Sequence, residues 1–384
     1  MIFLNILVLG NGFDLAHGLP TSYKDFLDYL SVIEFLCDEH NKHQSYPNEK
    51  EVVDHINETY PYINKILKDG LIKQCNQTWI EKESVILSDI VSGKNLWYEY
   101  FRFKTYNKSM QNKREWNWID FEAEISNVVR KLERMDISQN NDKNIPLTHL
   151  DIKGRDIFLI DFMGGKPIDF NQQRKDEFIS HLERDLSNFI SALGLYIQAV
   201  DDFSVNIRLP DIIGEKFNKV VSFNYTNTYR QLYCNNMSDE DIHFIHGRAG
   251  KHESDISSGL VLGANDTLQD KEKDKNVCCL KFKKYFQRIY KKTGNKYKNF
   301  FKKDTKKENI CSFFFGHSLS KTDGDIIRTI IYESDQVVIF YHNDRQHREE
   351  ITNLVTILGK DTLIDFAENK IEFRQQKNVE CIRD

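Results

Sequence analysis

Residues 2–20 read Ile-Phe-Leu-Asn-Ile-Leu-Val-Leu-Gly-Asn-Gly-Phe-Asp-Leu-Ala-His-Gly-Leu-Pro. Ile2 to Leu9 is a near-continuous apolar run that stops at Gly10-Asn11-Gly12. A strand buried on both faces has no polar side to alternate with, so an unbroken apolar run closed by a glycine turn reads as the opening strand of a parallel sheet. Glycines after such a strand let main-chain N–H groups approach a phosphate closely, or they simply make a tight turn. The stretch is not the G-x-G-x-x-G dinucleotide pattern, because position 15 is Leu, and no Gly-Lys-Ser/Thr follows to make a P-loop. The opening run is also too short to span a membrane and lacks the basic flank of a signal peptide, so we expect no membrane segment and a cytoplasmic location.

The sheet resumes far downstream. After Pro210, short β-rich runs end in polar or glycine loops: Lys219–Phe223, His243–His246, Leu260–Gly263, Cys311–Phe315, Gln336–Tyr341 and Ile371–Arg374. Between them, Gly324–Tyr332 has helical texture. In contrast, residues 30–205 read as mostly helical, with helices expected over Val85–Tyr100, Asp120–Leu132 and Glu177–Val200 and a polar loop at Asn140–Asn144. These patterns predict an α/β protein. Residues 1–30 plus 211–384 would form an open parallel sheet, and residues 31–210 a large, mostly helical insertion. In such sheets ligands sit beyond the carboxyl ends of the strands.

Composition excludes several classes. Of the 384 residues, 40% are hydrophobic and 29% charged, with 26 Phe and 17 Tyr against 6 Pro, which argues for a packed core and against disorder. Seven Cys without any C-x-x-C pair argue against a zinc site or a disulfide framework, so no metal is expected. The net charge of −5 gives no global signal for nucleic acid. Locally, Lys271 to Lys307 carries fifteen Lys or Arg against Glu272, Asp274 and Asp304. There Phe282, Tyr285, Phe286, Ile289 and Tyr290 fit one helix face with cations on the other. That segment, 281–303, reads as a solvated amphipathic helix, a phosphate-facing lid or a weak nucleic-acid contact.

Three further strings follow predicted strands. Ser222-Phe223-Asn224-Tyr225-Thr226 places Asn224 either to cap the next helix or to act chemically. Ile245-His246-Gly247 offers an imidazole, which is either structural or a general base. Gly316-His317-Ser318-Leu319-Ser320-Lys321-Thr322-Asp323 only mimics a G-x-S-x-G elbow, since Ser320 stands at its last position, and a serine hydrolase is rejected. Glu39, His40 and His43 have near-metal spacing but no second His-rich helix, and read as surface residues. Glu81 and Glu83, like Glu122 and Glu124, alternate on helices and point apart.

Together these strings carry a resemblance. Gly10, Gly12 and Gly18-Leu19-Pro20 align with the opening of sirtuins, Asn224 with their catalytic Asn, His246 with their His base, and Gly316-His317-Ser318-Leu319 with their G-x-S-L turn. The fuller opening through Tyr23, the Gly-His-Ser-Leu string with Asp323, Trp118–Glu122 and Phe286-Gln287-Arg288 resemble the bacterial abortive-infection AbiH family. The resemblance implies a Rossmann-like, sirtuin-like core that takes NAD as substrate and hydrolyses it to nicotinamide and ADP-ribose. Asn224 and His246 would be catalytic. Gly10, Asn11, Gly12, Phe13, Asp14, Gly18, Pro20, Gly316, His317, Ser318 and Asp323 would contact the dinucleotide. It further implies a homo-oligomeric anti-phage effector with a phage-derived trigger. The alternative functions are a non-catalytic module sensing NAD or a related nucleotide, and a nucleic-acid effector. Two positions depart from the sirtuin pattern: Asp14 stands where sirtuins have a small hydroxyl residue, and Thr226 where they have Asp. Asp14 must then be paired, point away from phosphate or cap a helix. The absence of two Cys pairs disfavours protein deacylation.

Overall fold

The opening strand lies inside the sheet, as its two-sided apolarity requires. In the computed structural model β1 (Ile2–Leu9) pairs in parallel with β2 (Lys219–Ser222) on one side and β4 (Glu308–Phe315) on the other. β3 (Ile242–Phe244), β5 (Gln336–Tyr341) and β6 (Ile371–Gln375) complete an all-parallel sheet of order β3-β2-β1-β4-β5-β6. This is the order of the doubly wound dinucleotide-binding folds, in which the chain reverses direction across the sheet between β1 and β4. The chain is therefore α/β and Rossmann-like. The structure describes residues 2–74, 87–111, 120–134, 172–203, 205–250, 259–264, 277–303 and 308–377.

Alternate residues of the central strands feed two cores, as a pleat of period two dictates. Ile6, Val8, Val221, Phe314 and Ile339 face one layer, and Leu7, Leu9, Val220, Phe313 and Phe315 the other. The register sets Leu9 level with both Ser222 and Phe315, so the loops leaving β1, β2 and β4 begin at the same height. The helices that follow are short at the first turns: α1 is Asn11–Ala16 and α9 is Thr228–Tyr233. Helix α11 (Gly324–Glu333) buries Ile326, Ile327, Ile330 and Ile331, one apolar stripe at helical spacing, in the first core. Helices α12 (Asp344–Leu358) and α13 (Lys360–Asn369) link β5 to β6.

The chain divides into two compact units. The first, Met1–Thr21 with Ile197–Lys251 and Lys291–Asp384, contains the whole sheet. The second, Ser22–Tyr196 with His252–Tyr290, is helical: α2 (Tyr23–His43), α3 (Glu49–Thr59), α4 (Lys65–Gln74), α5 (Leu96–Gln111), α6 (Phe121–Arg134), most of α7 (Gln172–Asp201) and α10 (Lys284–Tyr290). The remaining short helix, α8 (Pro210–Ile213), lies in the first unit. Aromatic rings fill the middle of the second unit, with Phe101 stacked on Phe121 at 4.2 Å and Phe26 packed edge-on against Phe189 at 5.2 Å. Among the described residues, no helix is long and apolar enough to cross a membrane.

Three sequence expectations change. Leu260–Gly263 is not a strand. The side chain of Gln287 accepts from the N–H of Leu262 and donates to its carbonyl, both at 3.0 Å, and takes the place of a partner strand. The helix expected over Val85–Tyr100 is broken within its described part: Gly93 adopts φ 73° inside a π-turn at Ile90–Lys94. Asn95 then caps α5 by accepting from the N–H groups of Trp97 and Tyr98. The amphipathic reading of 281–290 holds only in part: Phe282 is buried and Lys281 exposed, as that reading requires. Lys283 and Lys284 are buried in ion pairs with Glu133 and Glu122, at 3.0 and 2.6 Å, while Ile289 and Tyr290 are exposed. The turn Val277–Phe282 is 3₁₀ and α10 begins only at Lys284, so a single helical register does not run through the segment. Asn140–Asn144, Glu81, Glu83 and Trp118 lie outside the described residues.

Candidate functional site

Four loops leave the carboxyl ends of β1 to β4, all within the first unit. Two of them interlock through glycine. The N–H of Gly10 donates to the carbonyl of Phe315 at 3.1 Å, and that of Gly12 to Gly316 at 2.8 Å. A β-carbon on Gly316 would lie 2.2 Å from the Phe13 nitrogen, and one on Gly10 would lie 2.5 Å from the His317 Cα. Gly316 also needs its φ of +67°. These glycines therefore allow two loops to touch, and the N–H groups of Gly10 and Gly12 are used by the protein itself.

The β2 loop enters from the side. Asn224 is buried, and its amide donates to the Gly10 carbonyl at 3.1 Å, while its own N–H is held by Ser222 Oγ at 3.2 Å. Two residues on, Thr226 Oγ1 donates to Asp14 Oδ2 at 2.6 Å. Asp14 is 1% exposed. Burial pushes its carboxyl up from 3.8 to about 7, against the opposing hydrogen bonds from Thr226, Thr228 and Asn224, and with a smaller upward push from Asp201. Asp14 thus faces inward to a threonine, which answers the question raised by a carboxylate in this loop. A recess of about 10 Å³, the room of about one water molecule, lies here, lined among others by Asp14, Asn224, Thr226, Asn227, Tyr229 and Arg230. Small-molecule sites usually offer roughly 300–1,000 Å³.

His246 closes the β3 loop. It is buried, with its ring centroid 5.6 Å from Phe223 and 6.3 Å from Tyr225. Its Nε2 lies 3.1 Å from Oδ1 of Asp323, at the start of α11. The two come from loops at β3 and β4, across the ends of β2 and β1. His317 packs edge-on against Phe223 at 4.3 Å, and its Nδ1 accepts from the N–H of Leu319 at 2.9 Å.

The structure thus brings Gly10, Gly12, Asp14, Asn224, Gly316, His317, His246 and Asp323 to one edge of the sheet. The other predicted residues do different work. Phe13 is buried in the core against Phe315. Asn11 is exposed and donates to the Thr21 carbonyl at 3.0 Å. Gly18 turns the chain with φ +78°, and Pro20 is buried after it. Ser318 is exposed, and its carbonyl accepts from Asn353. Sequence reading also missed Thr228, Asn227 and Arg230. Only their proximity to Asn224 in the chain could have suggested them. Another omission is His17, buried between the Phe13 carbonyl at 2.7 Å and Tyr233 Oη at 2.8 Å. Burial lowers its pKa, and this keeps it neutral and structural. Among the described residues, no three His, Cys, Asp or Glu side chains gather as a metal site would require. Glu122 and Glu124 turn to separate partners, Lys284 and Tyr100.

No curated protein and no solved structure matches the chain. A family model described as bacteriophage abortive infection AbiH matches residues 6–342.

Proposed function

The chain belongs to the bacteriophage abortive infection AbiH family, and from that premise we propose that it acts in phage defence as an NAD hydrolase with a sirtuin-like site. The observation that carries this reading is the convergence of Asn224 and His246 on the carboxyl edge of a sheet with dinucleotide-binding strand order. Two residues that depart from the sirtuin pattern add to it. Asp14 and Thr226 exchange the hydroxyl and the carboxyl between the two loops, and they are bonded to each other.

Hydrolysis breaks the bond between the nicotinamide nitrogen and the ribose carbon. The nitrogen keeps the electron pair and leaves as neutral nicotinamide. A water oxygen bonds to the ribose carbon, and His246 takes the water proton. Asn224 orients the ribose hydroxyls and the water. The recess beside Asp14 has room for about one water molecule and not for a dinucleotide. The reading therefore requires the site to widen, and this suits an effector that is silent until triggered.

The alternative is a sensing module. In either reading the glycine turn is not the pyrophosphate cradle, because the N–H groups of Gly10 and Gly12 are committed to protein carbonyls. The nucleic-acid reading draws little support, since Lys281, Lys283, Lys284 and Lys303 are each paired with a carboxylate. Nicotinamide release from NAD by purified protein, with Asn224→Ala and His246→Ala alongside, separates the readings. Release by the wild type alone supports hydrolysis. Equal release by all three removes both residues from catalysis. Tight nucleotide binding without release, before and after exposure to phage-infected lysate, favours the sensor.

A further inference from the structure

We propose that Asp323 is the positioning residue of His246. Its carboxylate would hold the proton of the imidazole on Nε2 and leave Nδ1 as the atom that accepts a proton. This inference rests on the reading of His246 as the base. Three observations carry it. First, Nε2 and Oδ1 lie 3.1 Å apart, and the two side chains are only 3% and 10% exposed. An imidazole N–H facing a buried carboxylate has its tautomer fixed, because the carboxylate has only lone pairs to offer.

Second, Asp323 occupies the N-cap of α11, where an aspartate normally accepts from the first-turn N–H groups, yet its side chain makes no capping bond. The carboxylate is turned away from the role its position would assign and towards His246. The main chain beneath it is fixed separately. The Asp323 N–H donates to the Ser320 carbonyl at 3.1 Å, and Ser320 itself accepts from Thr322.

Third, the imidazole is buried among rings, with only 3% of its side chain exposed. Phe223 and Tyr225 flank the imidazole as rings. With water limited around it, a fixed carboxylate also stabilises the imidazolium that forms when the base is protonated.

The test pairs a spectroscopic readout that needs no turnover with kinetics. Nitrogen-15 NMR of histidine-labelled protein, with the His246 signal assigned by loss in His246→Gln, should show the Nε2–H tautomer in the wild type. In Asp323→Asn the amide can donate to Nε2, and the signal should move to Nδ1–H. Asp323→Ser is the second variant. Serine is a good N-cap, so a role confined to capping leaves His246 unchanged in this variant, whereas a positioning role does not. In the nicotinamide-release assay both variants should lose about 10²–10⁴-fold in kcat with KM held within a few-fold, and Asp323→Glu should recover part of the loss. An unchanged His246 tautomer in both variants overturns the inference, whatever the activity. A wild type that never releases nicotinamide overturns the hydrolase reading, and the tautomer readout still decides the role of Asp323.

Discussion

Asp14 is a carboxyl that folding holds out of water. Its raised pKa means that the folded protein keeps a proton that the unfolded chain releases between 3.8 and about 7. The sign follows directly. Its contribution to stability is intact below about pH 4 and is lost as pH rises towards 7, because over that window the folded state binds more protons. Asp14→Asn keeps the shape and cannot ionise. Its unfolding free energy should match that of the wild type near pH 4 and exceed it by on the order of 1–4 kcal/mol at pH 8. A gap that does not grow with pH between these limits would contradict the account. Glu350 on α12, pushed up to about 8 by burial, tilts the wild-type curve in the same direction, so the comparison must be between variants. At this scale the sequence was half legible. Asp14 and Thr226 each stood out as a departure from a pattern. That they answer one another across 212 positions is a fact of packing that no local reading contains.

The glycine turns and the basic segment show the same division at the scale of elements. A strand closing in Gly10-Asn11-Gly12 and another closing in Gly316 were visible from apolar runs and punctuation alone. What was not visible is that the turns bear on each other, because nothing in either string encodes its neighbour. Gly316→Ala should therefore destabilise the fold by more than about 4 kcal/mol, through a clash with the Phe13 nitrogen and a disfavoured φ. Chemical denaturation checks this. A stable Gly316→Ala variant defective only in nucleotide binding would restore the phosphate-cradle reading. In the basic segment, aromatic spacing suggested a solvated cationic face. The fold instead inserts Lys283 and Lys284 among carboxylates, which periodicity cannot report because it records polarity and not pairing. Lys284→Met should cost about 3–5 kcal/mol by stranding Glu122, and adding Glu122→Leu should recover much of that loss. Equal stability of the single and double variants would show that the pair does not matter.

At the scale of the molecule, the parallel sheet and the helical run between its first and second strands were legible, since long stretches of one texture survive local error. The strand order was not, because pairing partners are set by loops and packing and leave no mark on the strands themselves. That order places the Asn224, His246 and Gly316 loops on one edge, and the functional reading depends on it. A triggered effector acts only in the infected cell, so the central claim is best tested there. NAD should be measured through a phage infection in bacteria expressing the wild type, Asn224→Ala or His246→Ala at matched levels. The account predicts that NAD falls at least about tenfold after infection with the wild type alone, with nicotinamide and ADP-ribose rising together, as catalysis of that size requires. Protection from phage with NAD unchanged, or an equal fall in all three strains, would contradict it.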